Sequence, residues 1–213
     1  MSATSFQIRL CPNCGLRYPL TKNNPFGERC PLCLGETKII SEYPFEQESI
    51  ANSARLADEI KLSVLLDNIR SAWNVGSIFR SADGFEFRHA YLCGITPTPD
   101  NADVRKTALG AEQFVTWSAH KNVVELAVQL KKQGVEIWAL ELTQNSTPVN
   151  SVASAKQKSS EIVLAVGNEV TGIDPGLLEL ADRVVHLPMR GQKRSFNVAV
   201  AFAVAAQILR SRF

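Results

Sequence analysis

The stretch Ile162-Val163-Leu164-Ala165-Val166 is followed directly by Gly167-Asn168-Glu169-Val170-Thr171-Gly172. A continuous apolar run of this kind predicts a strand that is buried on both faces, as in a parallel sheet. The glycines of the second stretch permit tight turns and a close approach of the backbone to a ligand. Asp174 and Pro175 then suit the N-cap and the first turn of a helix. The stretch therefore predicts a central strand, a loop that can bind a ligand, and a helix.

Short apolar runs of the same kind recur on both sides of this strand and alternate with amphipathic segments. The predicted strands are Leu62–Leu66, Ala90–Cys93, Gln113–Trp117, Ile137–Leu142, Ile162–Val166 and Val184–Leu187. Helical patterns fill the gaps between them, notably at Val75–Ser81, Val123–Lys132 and Pro175–Ala181. This alternation predicts an α/β domain with a mostly parallel sheet over residues 58–213. Ligands bind such sheets beyond the carboxyl ends of the strands.

The loop after the first of these strands carries candidate site residues. Asn74 precedes a helix-like segment and suits an N-cap. Gly76 and Arg80 are four residues apart and share a helix face, so we expect the missing side chain of Gly76 to leave space for a ligand to reach the guanidinium. A plain helix cap and a solvated arginine are the alternative interpretation.

The loop after the last predicted strand is basic. Arg190, Lys193 and Arg194 form a local patch that suits phosphates, and a solvated loop explains them equally well. His186 is interpreted as a strand residue rather than a catalyst. The following segment, Val198–Leu209, is apolar on every side of a helix, which predicts full burial, with another subunit as a candidate cover.

Near the N-terminus, Cys11-Pro12-Asn13-Cys14 and Cys30-Pro31-Leu32-Cys33 form two C-x-x-C pairs separated by fifteen residues. This spacing predicts a tetrahedral Zn²⁺ site, and because the protein supplies all four thiolates the metal is expected to be structural. Two disulfides are the alternative, but they do not suit the intracellular chain that we expect from the lack of a leader-like N-terminus. The sequence thus predicts a zinc ribbon over residues 1–40 and a linker over 41–57.

Charge and hydropathy set weaker limits on function. Lysines and arginines number 23 against 21 acidic residues, so the net charge neither indicates nor excludes a nucleic-acid partner. The ribbon carries scattered basic residues, for which RNA contact and simple solvation are both open: Arg9, Arg17, Lys22 and Arg29. The apolar run Phe196–Leu209 is shorter than the roughly 20 residues that span a bilayer, so we expect no membrane segment and a cytoplasmic protein. The fifth cysteine, Cys93, is expected to be a buried strand residue.

Taken together, the three loops resemble the motifs of the SpoU, or TrmH-like, RNA ribose methyltransferases of the SPOUT superfamily. The first motif matches Asn74-x-Gly76-x-x-x-Arg80, the second Gly167-Asn168-Glu169-x-x-Gly172, and the third Leu187-Pro188-Met189-x-Gly191-x-x-x-Ser195-x-Asn197-Val198. The resemblance covers about Leu62 to Leu209. It implies that the chain methylates a ribose 2′-hydroxyl of tRNA or rRNA with S-adenosylmethionine, that its sheet ends in a C-terminal trefoil knot, and that it forms a homodimer.

The resemblance also implies site residues. The cofactor is expected in the knot, near Leu140, Gly167, Leu187, Met189, Ser195 and Asn197. We hypothesise that Arg80 orients the ribose and stabilises negative charge on its oxygen, because a guanidinium stays charged and is a poor base. The remaining candidates are expected to shape the catalytic pocket: Asn74, Glu169, Ser195 and Asn197.

The sequence departs from the family at two places. Phe196 stands where the family usually has leucine, and the zinc ribbon replaces more familiar N-terminal extensions, which leaves the RNA target open. Two rival functions remain: an RNA-binding protein that has lost catalysis, and a nicotinamide-dependent oxidoreductase. The first is disfavoured because the candidate catalytic residues are present, and the second because no G-x-G-x-x-G fingerprint occurs.

Overall fold

The computed structural model describes residues 5–22, 24, 27–45, 60–152, 159–193 and 195–212. The chain divides into two compact units, Met1–Arg55 and Leu56–Phe213. Arg194 of the predicted basic patch lies outside the described residues, as does most of the predicted linker.

Within its described residues, the N-terminal unit is a three-stranded antiparallel sheet. The strands are β1 (Ser5–Leu10), β2 (Arg17–Thr21) and β3 (Lys38–Pro44), in the order β2-β1-β3. Strand β3 continues past residue 40 into the polar segment predicted as linker, because its backbone pairs with β1 whatever its side chains. The domain boundaries themselves stay a prediction. Among the described residues this unit buries little: Ser5, Cys11, Leu20 and Cys30.

The second unit, in its described part, is built on a seven-stranded sheet whose pairings are all parallel. Its strands are β4 (Lys61–Asp67), β5 (His89–Cys93), β6 (Thr116–His120), β7 (Glu136–Leu140), β8 (Thr147–Pro148), β9 (Glu161–Val166) and β10 (Arg183–His186). The order is β6-β5-β4-β9-β7-β10-β8, so β9 lies in the interior of the sheet, as its apolar run predicts. The predicted α/β class is confirmed. The knot stays an expectation from the family resemblance.

Helices cover both faces of this sheet. They are α1 (Ala72–Gly84), α2 (Ala102–Ala108), α3 (Val123–Lys132), α4 (Val149–Val152), α5 (Pro175–Leu180) and α6 (Val198–Arg210). One apolar cluster joins the sheet to α1, α2 and α6, and the other joins it to α3 and α5. Alternate residues of β9 enter the two clusters, Leu164 the first and Ala165 the second. None of the described helices is long and apolar enough to cross a membrane.

Two of the sequence-based expectations about these elements need correction, and one helix was not predicted. The strand predicted at Gln113–Trp117 begins only at Thr116, because Ala111–Gln113 form a one-turn 3₁₀ helix after Gly110, whose φ is +94°. The short helix α2 was not predicted, although Asn101 caps it. Helix α6 is not fully buried within the chain, because its surface residues Val200 and Val204 are 49% and 42% exposed. Cys93, in contrast, is the buried strand residue that was expected.

Candidate active site

A cavity of about 500 Å³ lies at the carboxyl ends of β7, β9 and β10. This volume is within the range of small-molecule and cofactor sites. All six residues that the sequence analysis assigned to the cofactor line it: Leu140, Gly167, Leu187, Met189, Ser195 and Asn197. The structure thus brings together the carboxyl ends of β7, β9 and β10, at the edge of the sheet where parallel strands present ligand sites.

The loop after β9 forms one wall of the cavity and is folded tightly on itself. The backbone groups of Asn168 and Gly172 bond to each other in both directions, with N···O distances of 3.0 Å. The Asn168 side-chain oxygen also accepts hydrogen bonds from the backbone N–H groups of Val170 and Thr171. A Cβ on Gly167 would collide with the backbone of Gly172 and Ile173, so only glycine allows this closure.

Glu141, a cavity residue that the sequence analysis missed, ties the end of β7 to the same loop. Its carboxylate accepts hydrogen bonds from the backbone N–H groups of Leu142 and Ile173, both at 3.1 Å. The sequence analysis extended the strand through Leu142 and gave Glu141 no role of its own, whereas β7 ends at Leu140 and Glu141 begins the loop after it. The contact with Ile173 depends on the folded loop, which the local sequence does not specify.

A hydrogen-bonded chain, which we call the polar strap, joins one residue from each of the three motifs: Asn74, Glu169 and Asn197. The Asn74 amide donates to Glu169 Oε1 at 2.9 Å, and the Asn197 amide donates to Asn74 Oδ1 at 3.0 Å. The Asn197 side-chain oxygen in turn accepts from the backbone N–H of Ala199 and Val200, so Asn197 is also the N-cap of α6. The strap therefore fixes the starts of two helices against the loop after β9.

The N-cap predicted at Asn74 is wrong, because Ser71 occupies that position and accepts the hydrogen bond from the backbone N–H of Asn74. Asn74 lies inside the first turn, and this frees its amide for the strap. The sequence offers polar residues at both Ser71 and Asn74 and does not show which of them caps the helix. The hydrogen bond between Asn74 and Glu169 in the folded chain is what assigns the cap to Ser71.

Glu169 is the anionic end of the strap and sits at the start of α1. Its Oε2 accepts from the backbone N–H of Arg70 at 3.0 Å, and its Oε1 accepts from that of Ser71 at 3.1 Å. Partial burial acts to raise the pKa of this carboxyl, but the hydrogen bonds from Arg70, Asn74 and Ser71 outweigh it and lower the pKa. Glu169 is thus held as a carboxylate that binds the positive end of the helix.

The structure does not place Arg80 at the cavity. The residue is exposed on the outer face of α1, and it is not among the residues that line the cavity. The expected space beside Gly76 does not exist either, because Gly76 is buried against α2. A Cβ there would collide with the Thr107 side chain and the Val104 carbonyl, and would stand 2.8 Å from the backbone nitrogen of Ala108. Gly76 therefore serves helix packing.

Residues that were not assigned to the cofactor line the rest of the cavity: Leu142, Val166, Asn168, Glu169, Val170, Gly172, His186, Phe196, Val198 and Ala201, together with Glu141. His186 ends β10, as expected of a strand residue, and its Nδ1 lies 2.9 Å from the Ser146 hydroxyl. Phe196, which replaces the family's usual leucine, lines the cavity while 45% exposed. Its larger ring enlarges the apolar wall without blocking the cavity.

The four cysteines of the N-terminal unit converge as their spacing predicts. Their sulfur atoms all lie within 4.8 Å of one another, with Cys11–Cys33 and Cys14–Cys30 each at 3.5 Å. A tetrahedral zinc with Zn–S bonds of about 2.3 Å holds its sulfurs about 3.8 Å apart, so the cluster fits the ion. The backbone N–H of Gly35 and the Asn13 amide lower the pKa of the Cys33 thiol to about 6, whereas at Cys14 the backbone N–H of Leu16 is outweighed by burial and the three neighbouring sulfurs, which raise the pKa of that thiol to about 12. Four thiols this close need a cation between them to be thiolates together.

The fold and the motifs agree with known proteins. A family model described as the SpoU rRNA Methylase family matches residues 61–207. The chain is 31% identical over 147 residues to the 23S rRNA (guanosine(2553)-2'-O)-methyltransferase RlmP of Bacillus subtilis, covering 69% of this chain and 57% of that protein. It is 28% identical over 151 residues to the tRNA (guanosine(18)-2'-O)-methyltransferase of Aquifex aeolicus, covering 67% and 65%. The chain thus spans less than two thirds of the length of either relative.

Solved structures show the same architecture. The TrmH/SpoU tRNA modifying enzyme of A. aeolicus superposes with a TM-score of 0.64 at 26% identity, covering 72% of this chain and 76% of that one. An AdoMet-bound rRNA methyltransferase from Sinorhizobium meliloti gives a TM-score of 0.65 at 25% identity, covering 72% and 57%.

Proposed function

The chain belongs to the SpoU rRNA Methylase family, and from that premise we propose that it transfers a methyl group from S-adenosylmethionine to a ribose 2′-hydroxyl of tRNA or rRNA. One observation carries the proposal: the second and third family motifs line one cavity of about 500 Å³, and Asn74 of the first motif is hydrogen-bonded to Glu169 and Asn197 of the other two. Both relatives are named for 2′-O-methylation of guanosine in RNA, one in rRNA and the other in tRNA. They support the reaction and leave the choice of RNA open.

The cavity suits the proposed cofactor. The backbone turn at Gly167–Gly172 allows close contacts with a ligand, and Leu140, Leu187 and Met189 form apolar walls. The matching S. meliloti structure is described as AdoMet bound, which supports this assignment. When bound, S-adenosylmethionine supplies an electrophilic methyl group, and the 2′-oxygen that attacks it must be aligned with the methyl–sulfur bond and lose its proton. Ser195 and the three residues of the polar strap shape the pocket that receives the ribose.

Arg80 supplies the charge that this reaction needs at the oxygen. A guanidinium is always protonated, so its role is to orient the ribose and to stabilise negative charge as the new bond forms. Since Arg80 does not line the cavity of its own chain, we place the active site in a homodimer, where a second copy can present its Arg80. Val200, Val204 and Phe196 give the surface an apolar face for such an interface, each between 42% and 49% exposed.

The N-terminal unit completes the proposal as a structural zinc ribbon. Its four sulfurs fit the ion, and the described residues of the unit bury too few side chains to fold it on apolar contacts alone. The basic side chains of the ribbon give it a role in RNA contact, and the RNA substrate places the enzyme in the cytoplasm.

Arg80→Ala tests the proposed chemistry. Purified wild type should methylate total RNA from cells that lack the gene, and the variant should lose about 10²–10³ in single-turnover rate while S-adenosylmethionine affinity and sedimentation mass stay unchanged. Arg88→Ala, at the opposite end of the sheet beside the start of β5, is the matched control and should keep the wild-type rate.

Three outcomes would contradict the proposal. RNA binding with no methyl transfer by wild type would favour the inactive RNA-binding protein. A full rate for Arg80→Ala would remove that residue from catalysis. A monomeric mass for the active protein would exclude the homodimer.

A further inference from the structure

Trp73 projects from the first turn of α1 into solvent. The residue is 59% exposed, whereas Trp138 is 1% exposed and belongs to the core. Trp73 immediately precedes Asn74, whose amide is part of the polar strap beside the cavity. A large aromatic ring in the first turn of a helix, held by the helix backbone but not buried, presents a flat apolar surface to a partner.

Lys106 of α2 stands over this ring, with its Nζ 5.7 Å from the ring centroid. The lysine reaches Trp73 because α2 packs closely on α1 at Gly76, where no Cβ fits. Of the two cation–ring contacts among the described residues, the other is Arg183 over Trp138, whose ring is buried. Lys106 is itself exposed, so both the ring and the ammonium group remain available.

The same face of α1 continues the pattern. Ser77 and Arg80 follow Trp73 at four and seven residues, so the three side chains lie on one side of the helix. Arg80 is exposed, and Arg70 is exposed just before the helix. The face therefore combines one aromatic ring with basic side chains and places them in line with the residue proposed to act on the ribose.

We propose that Trp73 and Lys106 form a stacking platform for an unpaired nucleobase of the substrate RNA, adjacent to the nucleotide that is methylated. The platform rests on the proposed function and names the form of the substrate: a strand whose bases are splayed out of a helix at this point. Single-stranded RNA is bound by aromatic rings under its bases and cations at its phosphates, and this face supplies both. A stacked neighbouring base would hold the strand in register, with the target ribose toward the Arg80 of the same chain, which in the proposed homodimer serves the cavity of the second copy.

The test uses full-length protein and two fluorescein-labelled RNA strands of the same mixed sequence, one of them carrying a run of abasic sites. Stacking is worth about a 10- to 100-fold change in affinity when the ring is removed. Trp73→Ala should therefore bind the intact strand about 10- to 100-fold more weakly than wild type, and Trp73→Phe should fall in between. Wild type should bind the abasic strand weakly, and Trp73→Ala should not distinguish the two strands.

Phe114→Ala is the matched control, because Phe114 is also an aromatic residue of this unit and is 75% exposed. It should bind as wild type does. Equal affinity of Trp73→Ala and wild type for the intact strand would overturn the platform and leave the proposed methyl transfer standing. If Trp73→Ala loses RNA affinity but wild type transfers no methyl group, the proposed function is wrong and the platform stands. Conversion of Trp73→Ala to a monomer would show that a second copy covers the ring, and would also overturn it.

Discussion

The two units of this chain are stabilised in opposite ways. The ribbon, in its described residues, buries four side chains, and two of them are the metal-site residues Cys11 and Cys30. The second unit, Leu56–Phe213, which we call the catalytic unit because the proposed active site lies in it, has two apolar clusters, one on each face of its sheet. A unit that buries so few side chains among its described residues depends on its metal, whereas a unit with a large core can carry polar, exposed and functional loops at one edge without losing its fold.

The largest expected effect comes from removing the metal on which the ribbon depends. Cys11→Ser with Cys14→Ser should remove the zinc and unfold the ribbon, because zinc contributes about 10–16 kcal/mol to the folding of such modules. The catalytic unit should unfold as before. All three tryptophans, Trp73, Trp117 and Trp138, belong to the catalytic unit, so urea unfolding followed by tryptophan fluorescence reports on that unit alone.

Elemental analysis of the untagged wild type should find about one zinc per chain, and none in the double variant. Cys93→Ala is the control: it should lower the stability of the catalytic unit, where Cys93 is fully buried, and leave the zinc content unchanged. Wild-type protein without zinc, or a ribbon that stays folded in the double variant, would contradict the assignment.

A smaller effect is expected from changing a tightly packed position in the core of the catalytic unit. Gly76→Ala should destabilise the unit by about 1–3 kcal/mol, because the added Cβ meets the backbone of α2, which cannot move as a flexible side chain would. Gly84→Ala on the same helix meets nothing within 4 Å and should stabilise it by about 0.5–1 kcal/mol. Urea midpoints from tryptophan fluorescence measure both. Equal effects of the two changes would mean that α2 is not packed on Gly76 in solution.

The two units also differ in how much of their structure could be predicted, because their important contacts span different distances along the sequence. The metal site of the ribbon could be predicted because its ligands are close together in sequence, Cys11 with Cys14 and Cys30 with Cys33. The α/β class was predictable because burial imposes a periodicity on each strand, and β9 shows it most clearly. The strand β6 was misplaced because its residues are partly exposed and polar, so hydrophobicity did not mark it.

The candidate site was predictable only as far as its motifs are fixed by the family. The cavity residues Gly167 and Leu187 were found in this way. The polar strap was not, because it joins residues 95 and 123 positions apart, and no local pattern encodes such a contact. The close approach of α2 at Gly76 was missed for the same reason. A missing side chain indicates a close neighbour without saying whether it is a ligand or a helix.

The smallest expected effect concerns the strap and its dependence on pH. Glu169→Gln replaces one oxygen with an NH₂ group, which would face the backbone N–H of Arg70 or Ser71 as a second donor. The variant should be less stable than wild type at neutral pH. The zinc content of the ribbon should not change, because Glu169 belongs to the other unit. Glu179→Gln, an exposed carboxyl on α5, is the control and should leave the stability near the wild-type value.

The difference between wild type and Glu169→Gln should shrink in acid. Because folding lowers the pKa of Glu169, the carboxylate stabilises the folded state fully above the pKa of an unfolded glutamate, about 4.3, and progressively less as the pH falls through the lowered folded value. Urea midpoints of the two proteins, followed by tryptophan fluorescence from pH 7 to pH 3, should therefore converge toward the acid end. The fluorescence excludes the ribbon, whose thiolates lose zinc over the same range. A gap that stays constant with pH would mean that Glu169 contributes by packing rather than as the carboxylate at the start of α1.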